Sequence, residues 1–119
     1  MVADRTRTLG ADHADTLATR HSYAHWTGKA GDPATARELY KQLVADGTRA
    51  LGADHADTLA TRHEDAHWTG EAGDAATARD LCTALVADQA RVFEPDHPGG
   101  RITRENHVRW TEAARNSES

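Results

Sequence analysis

His63, Glu64 and His67 open the segment HEDAHWTG at residues 63 to 70, the HExxH spacing that on a helix sets two zinc-binding imidazoles one turn apart beside a glutamate base. The longer pattern HExxHxxG needs a third ligand three residues beyond Gly70. Gly73 stands there, and the Asp74 that follows it reads as a helix cap. The segment also has a twin, HSYAHWTG at 21 to 28, which keeps both histidines and lacks the glutamate. The imidazoles therefore belong to a repeated register, and Glu64 alone is new. Hydrolytic zinc chemistry is set aside on that ground. What two imidazoles at i and i+4 still allow is weak zinc or nickel binding, short of the four ligands of a closed site. No Ser-His-Asp arrangement, phosphate loop or paired-carboxylate cleft stands out. No catalytic residue, resident metal or cofactor is assigned, and an enzyme is not expected.

The repeat dominates the chain. LGADHADTLATRH at 9 to 21 recurs letter for letter at 51 to 63, AHWTG at 24 to 28 returns at 66 to 70, AGD at 30 to 32 returns at 72 to 74, and LVAD at 43 to 46 returns at 85 to 88. The offset is 42 residues throughout. A third copy begins at Phe93 and decays, keeping Asp96, His97, Thr103, Arg104, Trp110 and Thr111 in phase but placing Arg101 where the earlier copies have Leu. Val2, Ala3 and Asp4 are in phase with Val44, Ala45 and Asp46, so the frame extends backwards. The organisation expected is one helical repeat domain over 1–119: a partial repeat 1–8, repeats 9–50 and 51–92, and a degenerate half repeat 93–119. A fixed period of this length means stacked units that cannot bury their apolar faces alone.

Two helices per period follow from caps and periodicity. Asp12 and His13 precede the first, Asp15 sits in its first turn, and Gly31 closes it. Asp32 caps the second with Pro33 at the first helical position, and Gly52 follows its end. So short a connection makes the two helices antiparallel neighbours. In the second helix Ala36, Leu39, Tyr40, Leu43, Val44 and Gly47 form a buried stripe, repeated as Ala78, Leu81, Cys82, Leu85, Val86 and Gln89. In the first helix Ala18, His21, Ser22, His25 and Lys29 share one open face, with Leu17, Tyr23, Ala24, Trp26 and Ala30 on its flanks and back. Trp26, Trp68 and Trp110 recur at the period and are expected in core or inter-repeat packing. His13, His55 and His97 are expected in caps or turns. Five helices and no strand are predicted, with a frayed piece of a sixth at the N-terminus. The fifth helix is expected to start late, because Gly99 and Gly100 each cost roughly 1 kcal/mol in a helix.

Composition narrows the function classes. Fourteen Lys and Arg against nineteen Asp and Glu give a formal charge of −5, which disfavours nucleic acid, whose binders carry a clustered basic face. No run approaches the roughly 18 apolar residues of a membrane span, and MVADRTRTLG lacks a signal-peptide core, so a cytoplasmic protein is expected. Cys82 is the only cysteine, which precludes an internal disulfide and suits a small core residue.

LGADHADTL, an Ala-centred helix, AGD, and a helix carrying Ala36, Tyr40 and Leu43 together resemble the 42-residue tetratricopeptide repeat of kinesin light chains and their bacterial relatives. The HWTG copies are also similar to repeats of large actinobacterial regulators that set such arrays beside a nucleotide-binding switch module, which nothing in this sequence encodes. The resemblance implies an all-α fold, tandem antiparallel hairpins in a short right-handed superhelix of about two and a half repeats, whose first helices line a concave surface for peptides or partner helices. The family's groove asparagine falls on Ser22, Glu64 and Asn106. Asp65, Arg20 and Arg62 stand where the family is apolar, which implies looser packing. The expected function is a protein-interaction scaffold, alone or as part of a larger regulator, holding a protein or peptide. The alternative is a truncated remnant without independent activity. The groove would comprise His21, Ser22, His25, Lys29, His63, Glu64, His67, Glu71, Asn106 and Arg109. Self-association through uncapped repeat ends is the other partner expectation. Imidazoles ordinarily titrate near 6.5, so this wall is expected to gain positive charge, and to hold a partner of mixed charge whose acidic groups meet the imidazoles more tightly, as pH falls from 8 to 6.

Overall fold

The computed structural model describes residues 14–92 and 98–118. These form five helices: α1 (Ala14–Lys29), α2 (Pro33–Leu51), α3 (Ala56–Glu71), α4 (Ala75–Val92) and α5 (Pro98–Glu118). Each packs on the next in chain order, and α3 also touches α5. The result is two antiparallel hairpins, α1–α2 and α3–α4, followed by α5. The partial repeat at 1–8, the caps Asp12 and His13, and His97 lie outside the described residues.

The Gly-Asp turns do what their chemistry dictates. At the end of α1 the Asp32 N–H donates to the Thr27 carbonyl (3.2 Å) and the Gly31 N–H to the Gly28 carbonyl (3.0 Å), with Gly31 at φ +105°. This is the paired closure that needs a residue in the left-handed region, where glycine carries no steric penalty. Asp32 then accepts from the Thr35 N–H at 3.1 Å and caps α2, and Pro33 follows. The second hairpin repeats the device with Gly73 and with Asp74 accepting from the Thr77 N–H at 3.2 Å. These hydrogen bonds hold both capping carboxyls below the usual range. His55 caps α3, its Nδ1 accepting from the Asp57 N–H at 3.0 Å.

The predicted stripes are the core. Ala36, Tyr40 and Leu43 are buried with Leu17 and Ala24 in one cluster, and Ala78 and Cys82 are buried with Ala66 in another. Burial pushes the Cys82 thiol up to about 11, as expected of an inert core residue. The first cluster also contains Trp68 and the second Trp110, so each hairpin's core is completed by the tryptophan of the next repeat.

Three expectations are corrected. α5 does not start late: Pro98, Gly99 and Gly100 are its first turn. Proline's fixed φ is preorganised for the first helical position, and first-turn N–H groups have no intrahelical acceptor to lose. Trp26 is not packed: it is 68% exposed, against 5% for Trp68 and Trp110, and among the described residues no helix precedes α1 for it to press against. Arg20 and Arg62 are not signs of loose packing either. Arg20 pairs with Asp46 at 2.8 Å and Arg62 with Asp88 at 2.7 Å, each tying the first helix of a hairpin to the second. The Arg62 hydrogen bond holds the Asp88 carboxyl below its usual range. Arg62→Leu is expected to cost about 0.5–1 kcal/mol in urea unfolding, the scale of a part-exposed pair.

Candidate functional site

First helices α1, α3 and α5 carry every residue of the predicted groove. His21 lies edge-on to Tyr40, ring centroids 5.1 Å apart, and the Tyr40 hydroxyl donates to the His21 carbonyl at 3.2 Å. His25 stacks in the same manner on Trp26 (5.2 Å), and Ser22 and Lys29 are exposed. In the second repeat His67 stands edge-on to Trp68 (4.7 Å), whose indole N–H donates to Glu64 Oε2 at 3.1 Å. Arg109 takes the corresponding place in the third, its guanidinium 4.3 Å from the Trp110 ring centroid. The residue before each tryptophan is thus its ring partner.

Much of the second and third copies' polar wall is engaged within the protein. Glu71 accepts from Arg109 at 2.6 Å, His63 Nε2 lies 3.4 Å from Asn106 Nδ2, and His63 Nδ1 lies 3.5 Å from Thr103 Oγ1. Glu64 of the HEDAH segment is therefore a partner of Trp68. Among the described residues no group of three or more His, Cys, Asp or Glu is placed to hold a metal ion. Burial pushes His21, His63 and His67 below 6.5, against a smaller opposing pull from nearby Glu64. These imidazoles acquire charge at lower pH than the sequence alone suggests.

A cleft of about 350 Å³ opens between α1 and α3, floored by α2. Leu17, Leu43 and Leu51 form its apolar part, and His21, Ser22 and Asp57 line it with polar groups. Gly47 keeps it open. The only atom an added Cβ would meet there is Thr58 Oγ1, at 3.8 Å, whereas the corresponding residue of the second repeat is the buried Gln89. The sequence singled out His21 and Ser22 but not Gly47, whose signal was the Gly-for-Gln difference between otherwise matching stripes. Gly47→Ala is expected to stabilise the chain by about 0.5–1 kcal/mol in thermal unfolding, since an interior helical glycine costs that much and its Cβ site is free.

The tryptophans were expected between repeats, but the glycines that receive them were missed. A Cβ at Gly28 would lie 2.5 Å from Cη2 of Trp68, and one at Gly70 would lie closer still to Cη2 and Cζ2 of Trp110. Each tryptophan therefore lies flat on a glycine of the preceding first helix. The readable signal was a glycine inside a helix at the same phase in both copies.

The tetratricopeptide repeat family model matches residues 16–57. Among solved structures the chain is similar to the nearly identical TPR-like repeats of a Podosopora anserina protein described as a kinesin light chain. Identity is 29%, the TM-score 0.81, and the match covers 98% of this chain and 56% of that one. A variant of the same protein gives 29% identity, a TM-score of 0.83, and coverage of 98% and 55%. The chain thus spans little more than half the length of these structures. No curated protein matches the sequence. Among the described residues no helix is long and apolar enough to cross a membrane. The 42-residue period, the capped hairpins, the family match over residues 16–57 and the structural likeness converge: the chain carries tetratricopeptide-type repeats and is similar in fold to those of the kinesin-light-chain type.

Proposed function

We propose that the chain is a scaffold that holds a peptide or a segment of a partner protein against its first helices, with α1 and α3 as the principal contact. Tetratricopeptide repeats generally serve as protein-interaction scaffolds. What supports this surface is the cleft beside Gly47. It combines an apolar base with a few polar groups, at the low end of the volume range of pockets that bury a ligand group. A partner segment would insert one apolar side chain between Leu17, Leu43 and Leu51 and meet His21, Ser22 and Asp57 with its polar flanks. Glu71 and Arg109, already paired, contribute charge balance more than free contacts. Because burial lowers the titration of His21, any acid-strengthened binding is expected below pH 6.5, and His21→Ala is expected to remove it.

The test uses peptides selected from a random library on the full chain, with affinities measured by fluorescence anisotropy. Gly47→Gln, which installs the second repeat's own residue, is expected to fill the cleft and weaken binding about tenfold, near 1.4 kcal/mol, with helicity unchanged. Selected peptides indifferent to both Gly47→Gln and His21→Ala would show that partners bind elsewhere.

A further inference from the structure

The α3 wall of the cleft carries a charge pattern that the scaffold role leaves unused. Asp57, Ala60, Thr61 and Glu64 fall at i, i+3, i+4 and i+7, one stripe of the helix, and the first three line the cleft. Asp57 and Glu64 therefore stand two turns apart on the same side, about 10 Å along the axis. Both act on the charge of His21 across the cleft on α1, so both lie within electrostatic reach of the opposite wall. No Lys or Arg lines the cleft. Arg20 and Arg62 are held by Asp46 and Asp88, and Arg109 by Glu71. Burial keeps His21 below 6.5, so at neutral pH it does not offset the two carboxylates.

The pair is particular to this cleft. In α1 the same two positions are Asp15 and Ser22, and in α5 they are Gly99 and Asn106. Only beside Gly47, where the floor is open, do both carry carboxylates. Packing does not demand Glu64. It accepts from the Trp68 indole through Oε2, yet Trp110 is buried in the equivalent joint with its indole N–H unpartnered among the described residues. Asp57 is exposed in the first turn of α3, where the helix dipole favours it.

We propose that the segment held in this cleft is basic: an aliphatic side chain seated between Leu17, Leu43 and Leu51, bracketed by two Lys or Arg side chains that meet Asp57 and Glu64. This inference rests on the scaffold reading and names the chemistry of the partner. The carboxylates are separated by roughly three residues of extended chain, which sets the spacing of the two cations. Complementary charge at such a rim selects among partners and speeds encounter, while the apolar seat supplies the anchor. The preference is opposite in sign to that of a wall governed by its histidines.

The probes are fluorescein-labelled peptides selected from a random library on the full chain, each compared by anisotropy at neutral pH with twins whose Lys and Arg are replaced by Gln. The selected pool is expected to be enriched in an aliphatic residue flanked by two basic ones, and the Gln twins to bind about tenfold more weakly. Glu64→Gln, which keeps an acceptor for the Trp68 indole, and Asp57→Asn should each weaken the basic peptides about threefold and leave the Gln twins unaffected, with helicity unchanged. Selection repeated on the double variant should lose the basic enrichment. Neutral or acidic peptides whose binding is lost in Gly47→Gln would overturn this inference and leave the scaffold reading in place. Equal weakening of the basic peptides and their Gln twins by Glu64→Gln would also overturn it, assigning Glu64 to the Trp68 joint alone. Peptides indifferent to Gly47→Gln would remove the scaffold site, and this inference with it.

Discussion

Trp68→Ala is expected to lower the stability of the chain by about 3–5 kcal/mol in urea unfolding followed by far-UV dichroism, the scale of deleting a buried tryptophan. Trp26→Ala, the same change at the same phase one repeat earlier, is expected to stay within about 0.5 kcal/mol of the parent, as exposed substitutions do. The difference arises from position in the stack. Trp68 is 5% exposed, completes the first hairpin's core with Leu17, Tyr40 and Leu43, and covers Gly28. Trp26 has a histidine edge on its ring and is otherwise largely solvated. Because repeats are stabilised by nearest-neighbour contacts, loss of Trp68 uncouples the hairpins as well as leaving a void. Equal and small effects at the two sites would mean that the tryptophans do not join the repeats.

Asp65→Leu is expected to stabilise the chain by about 2–3 kcal/mol at pH 8, with the gain shrinking under acid. Asp65 is 6% exposed, and one carboxyl oxygen has no hydrogen-bond partner. Burial pushes its titration from an ordinary 3.8 up to about 6, against the pull of Lys41, Arg37 and the Thr69 hydroxyl. That gap corresponds to an ionisation cost of about 3 kcal/mol above pH 6. A carboxyl whose folded value is raised contributes its stability below 3.8 and loses it as pH rises through about 6. The half-buried histidines run the other way. His21, His63 and His67 are lowered by burial, so their contribution is complete above 6.5 and is lost as pH falls below it. The two trends oppose each other between pH 6 and 4. Asp65→Leu should therefore expose a steeper acid loss than the parent shows, measured as Tm against pH. A parent and variant with parallel pH profiles would show that Asp65 is not ionised at a cost in the fold.

The sequence revealed whatever is encoded within one period. Asp32-Pro33, the Gly-Asp turns, His55 and the Ala36–Tyr40–Leu43 stripe depend on neighbours a few residues away, and they appear as expected. What escaped depends mostly on contacts between helices, 26 residues apart within a hairpin and about forty between repeats. Trp26 and Trp68 share the sequence AHWTG, and among the described residues only Trp68 has a glycine-bearing helix before it. Arg20 and Arg62 looked misplaced until Asp46 and Asp88 were opposite them. The residues expected in the groove all fall on first helices, as the period implies. The period does not specify that Glu71 would pair with Arg109, Glu64 with Trp68 and His63 with Asn106, because those partners come from rotamers and from the divergent third copy. The cleft was legible only by difference, in Gly47 against Gln89.

The most direct test of the scaffold is an amide and methyl chemical-shift map of the full chain titrated with a library-selected peptide. The account predicts that the largest shifts fall on Leu17, His21, Leu43, Gly47 and Thr61 around the α1–α3 cleft, and that they vanish in Gly47→Gln. Shifts confined to the outward faces of α2 and α4, or unchanged by that substitution, would contradict it.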